Sequence, residues 1–190
     1  YPTSNVQFTY DAVGNRLTMV DPTGTTTYTY DGLDRLTRVQ AGSSTTQYSY
    51  DAVGNRTRIV YPSGSAVTYT YDAANRLTNV TDWASRAFAY LYDAASNRTR
   101  LNYPNGAYAT YTYDTLNRLT ALTTTGSSGT LFSASYTLDN VGNRTQMVDS
   151  EGTTNYTYDT LYRLTSAAYP DVTNTQYTYD AMGNRTTMTT

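Results

Sequence analysis

Hydroxyl and aromatic residues alternate in short stretches along the chain: Thr27-Tyr28-Thr29-Tyr30, Tyr48-Ser49-Tyr50, Tyr69-Thr70-Tyr71, Tyr111-Thr112-Tyr113, Tyr156-Thr157-Tyr158 and Tyr177-Thr178-Tyr179. A period of two in β-branched and aromatic residues predicts strands that put their rings on one face. Each of these stretches runs into an Asp, and a few residues after such an Asp a second short segment begins, such as Arg16-Leu17-Thr18-Met19-Val20 or Arg56-Thr57-Arg58-Ile59-Val60. Both are too short and too rich in Thr for helices. Between the two segments stand Gly and Asn, as in Gly14-Asn15, Gly54-Asn55, Gly142-Asn143 and Gly183-Asn184. These residues tolerate positive φ, so the chain reverses tightly there and each pair of segments reads as a β-hairpin.

The hairpin is a repeat. Tyr10-Asp11, Tyr30-Asp31, Tyr50-Asp51, Tyr71-Asp72, Tyr92-Asp93, Tyr113-Asp114, Leu138-Asp139, Tyr158-Asp159 and Tyr179-Asp180 follow one another at 20, 20, 21, 21, 21, 25, 20 and 21 residues. An Arg trails each Asp: Arg16, Arg35, Arg56, Arg76, Arg98, Arg118, Arg144, Arg163 and Arg185. The Arg stands five residues on in one copy and four in the next, in strict alternation, so the full period is two units. A unit this small cannot bury a core alone, and neighbours must stack. The expected fold is all-β, nine consecutive antiparallel hairpins forming a curved or spiralling sheet or tube. It would be a single array over residues 1–190, with units near 1–20, 21–40, 41–60, 61–81, 82–102, 103–123, 124–148, 149–168 and 169–190.

Two columns are apolar throughout. Two residues after each Asp stand Val13, Leu33, Val53, Ala74, Ala95, Leu116, Val141, Leu161 and Met182, and eight after it Met19, Val39, Ile59, Val80, Leu101, Leu122, Met147, Ala167 and Met188. The first column is expected to tuck inward as a plug at the turn. The copies with five residues before Arg are expected to absorb the extra one through a bulge, because a one-residue slip would turn the inner face outward. A second set of turns joins the hairpins, at Asp21-Pro22-Thr23-Gly24, Tyr61-Pro62-Ser63-Gly64, Tyr103-Pro104-Asn105-Gly106 and Asp149-Ser150-Glu151-Gly152, where Pro and Gly suit a type I turn. Longer connections are expected at 123–129, an exposed Thr/Ser/Gly loop, and at 81–88, which holds the only Trp.

Composition narrows the chemistry. The chain has no Cys and no His, and its thirteen cations are all Arg, so the usual zinc ligands, general base and Schiff-base nucleophile are missing. Only 38% of residues are hydrophobic, and 22 tyrosines supply much of that, so cohesion should come from amphipathic aromatic surface. A net charge of −2, with nine Arg committed to the motif, offers no basic track for nucleic acid. No membrane span is expected. Repeated Tyr, Asp and Arg without a singular cluster predict no enzyme, no catalytic site and no cofactor or metal site.

Tyr-Asp-Ala-Val-Gly-Asn-Arg (10–16 and 50–56) and Tyr-Asp-Gly-Leu-Asp-Arg-Leu-Thr (30–37) resemble the YD repeat of the RHS family. The resemblance runs over the whole chain, with departures at Leu138 and at Tyr162, where other short copies have Asn or Asp. It implies large secreted or cell-surface bacterial proteins, with teneurin-like relatives in animals, whose hairpins spiral into a hollow shell. In bacterial members that shell commonly encloses a C-terminal toxin. Eighteen strands at about 4.8 Å span roughly 85 Å, which closed on itself would be a tube only about 30 Å wide, too narrow for a folded passenger. The chain therefore reads as part of a longer wall, or as a block that stacks on itself. Its ends agree, since Tyr1-Pro2 repeats the pattern of Tyr61-Pro62 and Thr190 stops in phase with the repeat. Uncapped strands invite pairing.

The function expected is an extracellular structural scaffold, the wall of a fibre or protective casing. The alternatives are a shell segment of an RHS toxin-delivery protein and an adhesive, glycan-binding surface. Asp and Arg across each turn read as a structural pair. Calcium on the Asp and Asn oxygens is the sharper reading, which the adjacent Arg opposes. Trp83, Arg86 and Tyr90 are the residues that could contact a glycan.

Overall fold

The computed structural model describes residues 6–171 and 173–190, so the turn expected at Tyr1-Pro2 lies outside them. Among the described residues the fold is all-β: eighteen antiparallel strands, nine hairpins, in one unclosed sheet in which sequence neighbours pair. The strands are β1 (Gln7–Tyr10), β2 (Arg16–Asp21), β3 (Gly24–Tyr30), β4 (Leu36–Ala41), β5 (Ser44–Tyr50), β6 (Arg56–Val60), β7 (Ala66–Tyr71), β8 (Leu77–Thr81) and β9 (Ala87–Tyr92). They continue as β10 (Arg98–Asn102), β11 (Tyr108–Tyr113), β12 (Leu119–Gly126), β13 (Gly129–Leu138), β14 (Arg144–Asp149), β15 (Gly152–Tyr158), β16 (Leu164–Ala168), β17 (Asn174–Tyr179) and β18 (Arg185–Thr189). Among the described residues no helix is long and apolar enough to cross a membrane. The chain divides into two compact units, the first ending at Ala89 and the second beginning at Tyr90.

In both units the alternation in sequence becomes two different faces. In β3, Tyr28 and Tyr30 are half-buried while Thr27 and Thr29 are exposed, and β5, β7, β15 and β17 repeat the pattern. The column eight residues after each Asp forms the interior row. Within the first unit Tyr48 pairs with Ile59 and Ile59 with Val67, while Tyr69 pairs with Val80 and Val80 with Phe88. Within the second, Tyr111 pairs with Leu122 and Leu122 with Ala134, then Tyr156 with Ala167 and Ala167 with Thr175. The most deeply buried members of this row are small: Ala109, Ala134 and Ala167 are at most 3% exposed, Ile59 and Val67 are 8% exposed, and no large side chain falls below 2% among the described residues. A single sheet hides a side chain only beneath its neighbours' rings, so short residues between tyrosines are covered and the rings themselves stay partly wet.

Three expectations are corrected. The column two residues after Asp is not an inward plug. Val13, Leu33, Val53, Leu116, Val141, Leu161 and Met182 are 60–88% exposed, because they occupy the outermost position of a three-residue loop and point off the end of the hairpin. Nor is there an extra residue in alternate copies. Tyr10 pairs with Arg16 and Tyr30 with Leu36, five residues after the Asp in each case, and the same bulge precedes every turn of the pairs β1/β2, β3/β4, β5/β6, β7/β8, β11/β12, β13/β14, β15/β16 and β17/β18. Arg moves along a backbone of constant length. The supposed loop at 123–129 is strand, since Thr123 pairs with Ser133 and Thr124 with Phe132, leaving Ser127-Ser128 as the reversal. Its β-branched residues continue the ladder. Likewise 81–88 is strand at both ends, with Thr81 paired to Ala87 around a short turn described below.

Candidate functional site

Each motif turn is built by its Asp. In the turn after Tyr30, the Asp31 amide donates to the Arg35 carbonyl at 3.0 Å and the Asp34 amide to the Asp31 carbonyl at 3.0 Å, a type I turn followed by a left-handed residue. The Asp31 carboxylate gathers the amides of Leu33 at 2.9 Å and Arg35 at 3.1 Å, and its second oxygen takes Nε of Arg35 at 2.8 Å. In alternate copies Asn occupies the place of that Arg. Asn15 donates its amide at 2.8 Å and its side-chain Nδ2 at 3.0 Å to Asp11, and Asn55 and Asn143 do the same at Asp51 and Asp139. The repeat of two units is therefore a swap of Arg for Asn at one position. The ion pairs Arg35–Asp31, Arg76–Asp72, Arg118–Asp114 and Arg163–Asp159 belong to the Arg copies, at 2.6–2.8 Å.

The same side chains bind the next turn. Asn15 Nδ2 also reaches Asp34 Oδ1 at 2.9 Å, Asn55 reaches Asn75 at 3.0 Å and Asn97 reaches Asn117 at 2.8 Å. From the Arg copies, Nη1 of Arg35 donates to the Asp51 carbonyl at 2.8 Å, Arg118 to Asp139 at 2.7 Å and Arg163 to Asp180 at 3.1 Å. In these copies the turn thus holds its successor through whichever residue faces its Asp. Tyr of the motif supplies a second hook, its hydroxyl donating to a carbonyl of the preceding hairpin. Tyr30 and Tyr71 meet Arg16 and Arg56, Tyr50 meets Leu36, Tyr113 and Tyr158 meet Arg98 and Arg144, and Tyr179 meets Leu164, at 2.8–3.0 Å. Where Arg is displaced from the turn it lies over a ring: Arg16 over Tyr28 at 4.2 Å, Arg56 over Tyr69 at 5.0 Å, Arg98 over Tyr111 at 4.5 Å, Arg144 over Tyr156 at 4.7 Å and Arg185 over Tyr177 at 5.9 Å, and the turn-bound Arg35 and Arg163 lie over Tyr50 and Tyr179 at 4.8 Å as well.

These carboxylates titrate below their ordinary value. For Asp72, Asp114 and Asp159 the backbone amide of the Arg four residues on is the first cause, opposed by desolvation and helped by that Arg's side chain and charge. At Asp180 the Asn184 side chain leads, followed by the Asn184 amide. The tyrosine hooks move the other way. Desolvation raises Tyr71, Tyr113 and Tyr158 above the usual phenol value. With its lone pairs spent on turn amides, each Asp is positioned to cap and to stack. Among the described residues no three acidic side chains gather as a metal site.

Tyr92 and Asp93 stand in the same motif, on β9 and the turn after it, where Asp93 accepts Asn97 at 2.8 and 3.0 Å. Sequence reasoning missed one further copy. Asp82 accepts the Ala84 and Arg86 amides at 2.9 and 3.0 Å and pairs with Arg86 Nε at 2.7 Å, so β8 and β9 are joined by a turn of the motif type. The signal was the Asp and Arg four apart, hidden because Thr81 replaces Tyr. Trp83 and Arg86 share this turn, whereas Tyr90 is half-buried on β9. The ring that Trp83 meets is Tyr61, edge to face at 6.4 Å, beside Ser63 and Ser65.

Residues 10–46, 30–66, 50–87 and 92–130 each match the RHS repeat model. The chain belongs to the RHS repeat family. No curated protein sequence matches it. Among solved structures, TcdB2-TccC3-TEV shares the fold over 97% of this chain, at a TM-score of 0.79 and 20% identity. TcdB2-TccC3 without its hypervariable C-terminal region covers 96% at 0.69 and 19%, and the Tc holotoxin pore of Photorhabdus luminescens carrying TccC3-D651A covers 96% at 0.62 and 18%. The RHS chain described here spans only 12–14% of the length of those matched chains.

Proposed function

We propose that this RHS chain is a non-catalytic wall segment of a larger shell, exported from a bacterial cell, whose interior carries a C-terminal passenger. The observation that carries this reading is the fold shared over 97% of the chain with a protein of which it spans 12%, the proportion of one stretch of wall to a whole structure. The turn-to-turn bonds support it, because a device in which each hairpin grips the next extends without a singular site. The width of a tube from eighteen strands supports continuation over closure. Imaging of the parent reading frame with its C-terminal region tests the proposal. A hollow particle that shields the passenger from protease is expected, and a solid fibre with a digestible passenger refutes it.

A second reading has its own support. All five residues of β18 and all four of β1 are exposed, which suits self-association of arrays end to end. Light scattering of concentrated isolated protein is expected to show assembly. A monodisperse monomer sinks this reading and leaves the first intact.

A further inference from the structure

We propose that the first unit carries a carbohydrate-binding cleft between two connecting turns, lined by Tyr61, Ser63, Ser65 and Trp83, that accepts a neutral pyranose ring. The cleft holds about 260 Å³. That lies just under the range of about 300–1,000 Å³ for ordinary small-molecule pockets and suits one ring of a glycan. Trp83 is 60% exposed and Tyr61 is 39% exposed, and unlike the exposed rings of Phe132, Tyr162 and Tyr169 these two stand edge to face beside a pair of serines. Their planes stand at 89°, which gives the cleft two aromatic walls at a right angle. A pyranose presents an apolar face of C–H groups and an equatorial rim of hydroxyls. One aromatic wall can stack on that face while the serine hydroxyls and the phenol meet the rim.

Charge points the same way. The lining has no carboxylate and no guanidinium, and the nearby Asp82 carboxylate is consumed by the Ala84 and Arg86 amides and by Arg86 Nε. An uncharged ligand meets no penalty there. The sister turn Tyr103-Pro104-Asn105-Gly106 of the second unit faces a different neighbour, since the connecting turn after it, at Ser127-Ser128, has no aromatic residue. The cleft is thus a local departure from the repeat and independent of any role in a shell wall.

Trp83 is the only Trp in the chain, so its fluorescence reports this cleft alone. The folded protein would be titrated with methyl glucoside, galactoside, mannoside and N-acetylglucosaminide. At least one is expected to shift the emission to shorter wavelength, saturably, in the millimolar range. Tyr61→Ala should weaken that response tenfold or more, and Tyr103→Ala less than twofold. Calorimetry on Trp83→Ala should show no binding. Silence toward all four sugars in protein with an intact β circular dichroism spectrum overturns the proposal, as does unchanged affinity in Tyr61→Ala or Trp83→Ala.

Discussion

The two ends of these hairpins are made differently. At the motif end the first residue of the loop is Asp, its carboxylate collects the amides, and the side chain facing it reaches on to the next turn. At the connecting end two other loop types occur beside the motif-type turn at Asp82. Asp21-Pro22-Thr23-Gly24, Gly126-Ser127-Ser128-Gly129 and Asp149-Ser150-Glu151-Gly152 are two-residue reversals. The Tyr-Pro turns at Tyr61, Tyr103 and Tyr169 have the longer loop, with amides accepted by Ser63, Asn105 and Asp171 at its third position. Uniformity at one end keeps the stacking period constant. Freedom at the other lets individual turns diverge, and the aromatic cleft in the first unit is such a divergence. A cavity of about 430 Å³ in the second unit, beside Tyr169, Asp149, Glu151 and Asp171, is another, with an acidic lining in place of Trp.

The largest effect expected is in the interior row shared by both ends. Ile59→Ala should cost about 2–5 kcal/mol in chemical denaturation, as deletion of a buried branched side chain does, whereas Val53→Ala at a motif-turn tip should stay within about 0.5 kcal/mol. Equal losses would mean that the tips are buried in solution. Acid comes next. Because the motif carboxylates have folded values below their unfolded ones, the stability they supply is present above about pH 4 and is lost as pH falls through the lower folded values. Amide exchange at Leu116 and Arg118 should therefore accelerate before exchange at Gly64 and Gly106, whose turns begin with Tyr. Simultaneous loosening would erase the distinction between the two ends. For the raised phenols of Tyr71, Tyr113 and Tyr158 the sign reverses, so their contribution holds at neutral pH and is lost as pH climbs past 10.

Tyr71→Phe removes the hydroxyl donated to Arg56 and should cost about 0.5–1.5 kcal/mol, with Tyr61→Phe nearer zero. Tyr162 offers a gain. It sits at φ 61° in the left-handed region, where the other Arg copies use Asp34, Asn75 and Asn117, and it has no side-chain acceptor for Asn143 like those that serve Asn15, Asn55 and Asn97. Tyr162→Asn should relieve strain and restore a link, adding about 0.5–1 kcal/mol to stability. A loss would mean that the exposed ring has contacts of its own. The smallest effect is none at all: EDTA should leave the melting temperature unchanged, and a large drop would revive calcium at the turns.

How much of this was legible in advance follows a physical line. Hairpins, their number and the interior row at Met19, Val39, Ile59 and their equivalents were readable because period two and a fixed stride are one-dimensional signals. The role of the motif was half readable. Asp beside Arg announced a turn pair, but the equivalence of Asn15 and Arg35 was obscured by counting from Asp to Arg, when the turn counts backbone atoms and ignores which side chain arrives. The tips were misjudged for a related reason. Apolar residues at Val13, Leu33 and Val53 look like core in a pattern, yet a three-residue loop directs them outward whatever their chemistry.

Local order, then, was written in the chain: strand, reversal and repeat depend on residues a few positions apart, whose φ preferences and alternation act before any distant contact forms. Folding in three dimensions decided the rest. Asn15 meeting Asp34, Arg35 meeting the Asp51 carbonyl and Trp83 meeting Tyr61 join residues about 16–22 positions apart, and their distances depend on strand register and the position of the bulge. A one-residue change in either would leave the pattern of letters intact and dissolve every one of those contacts.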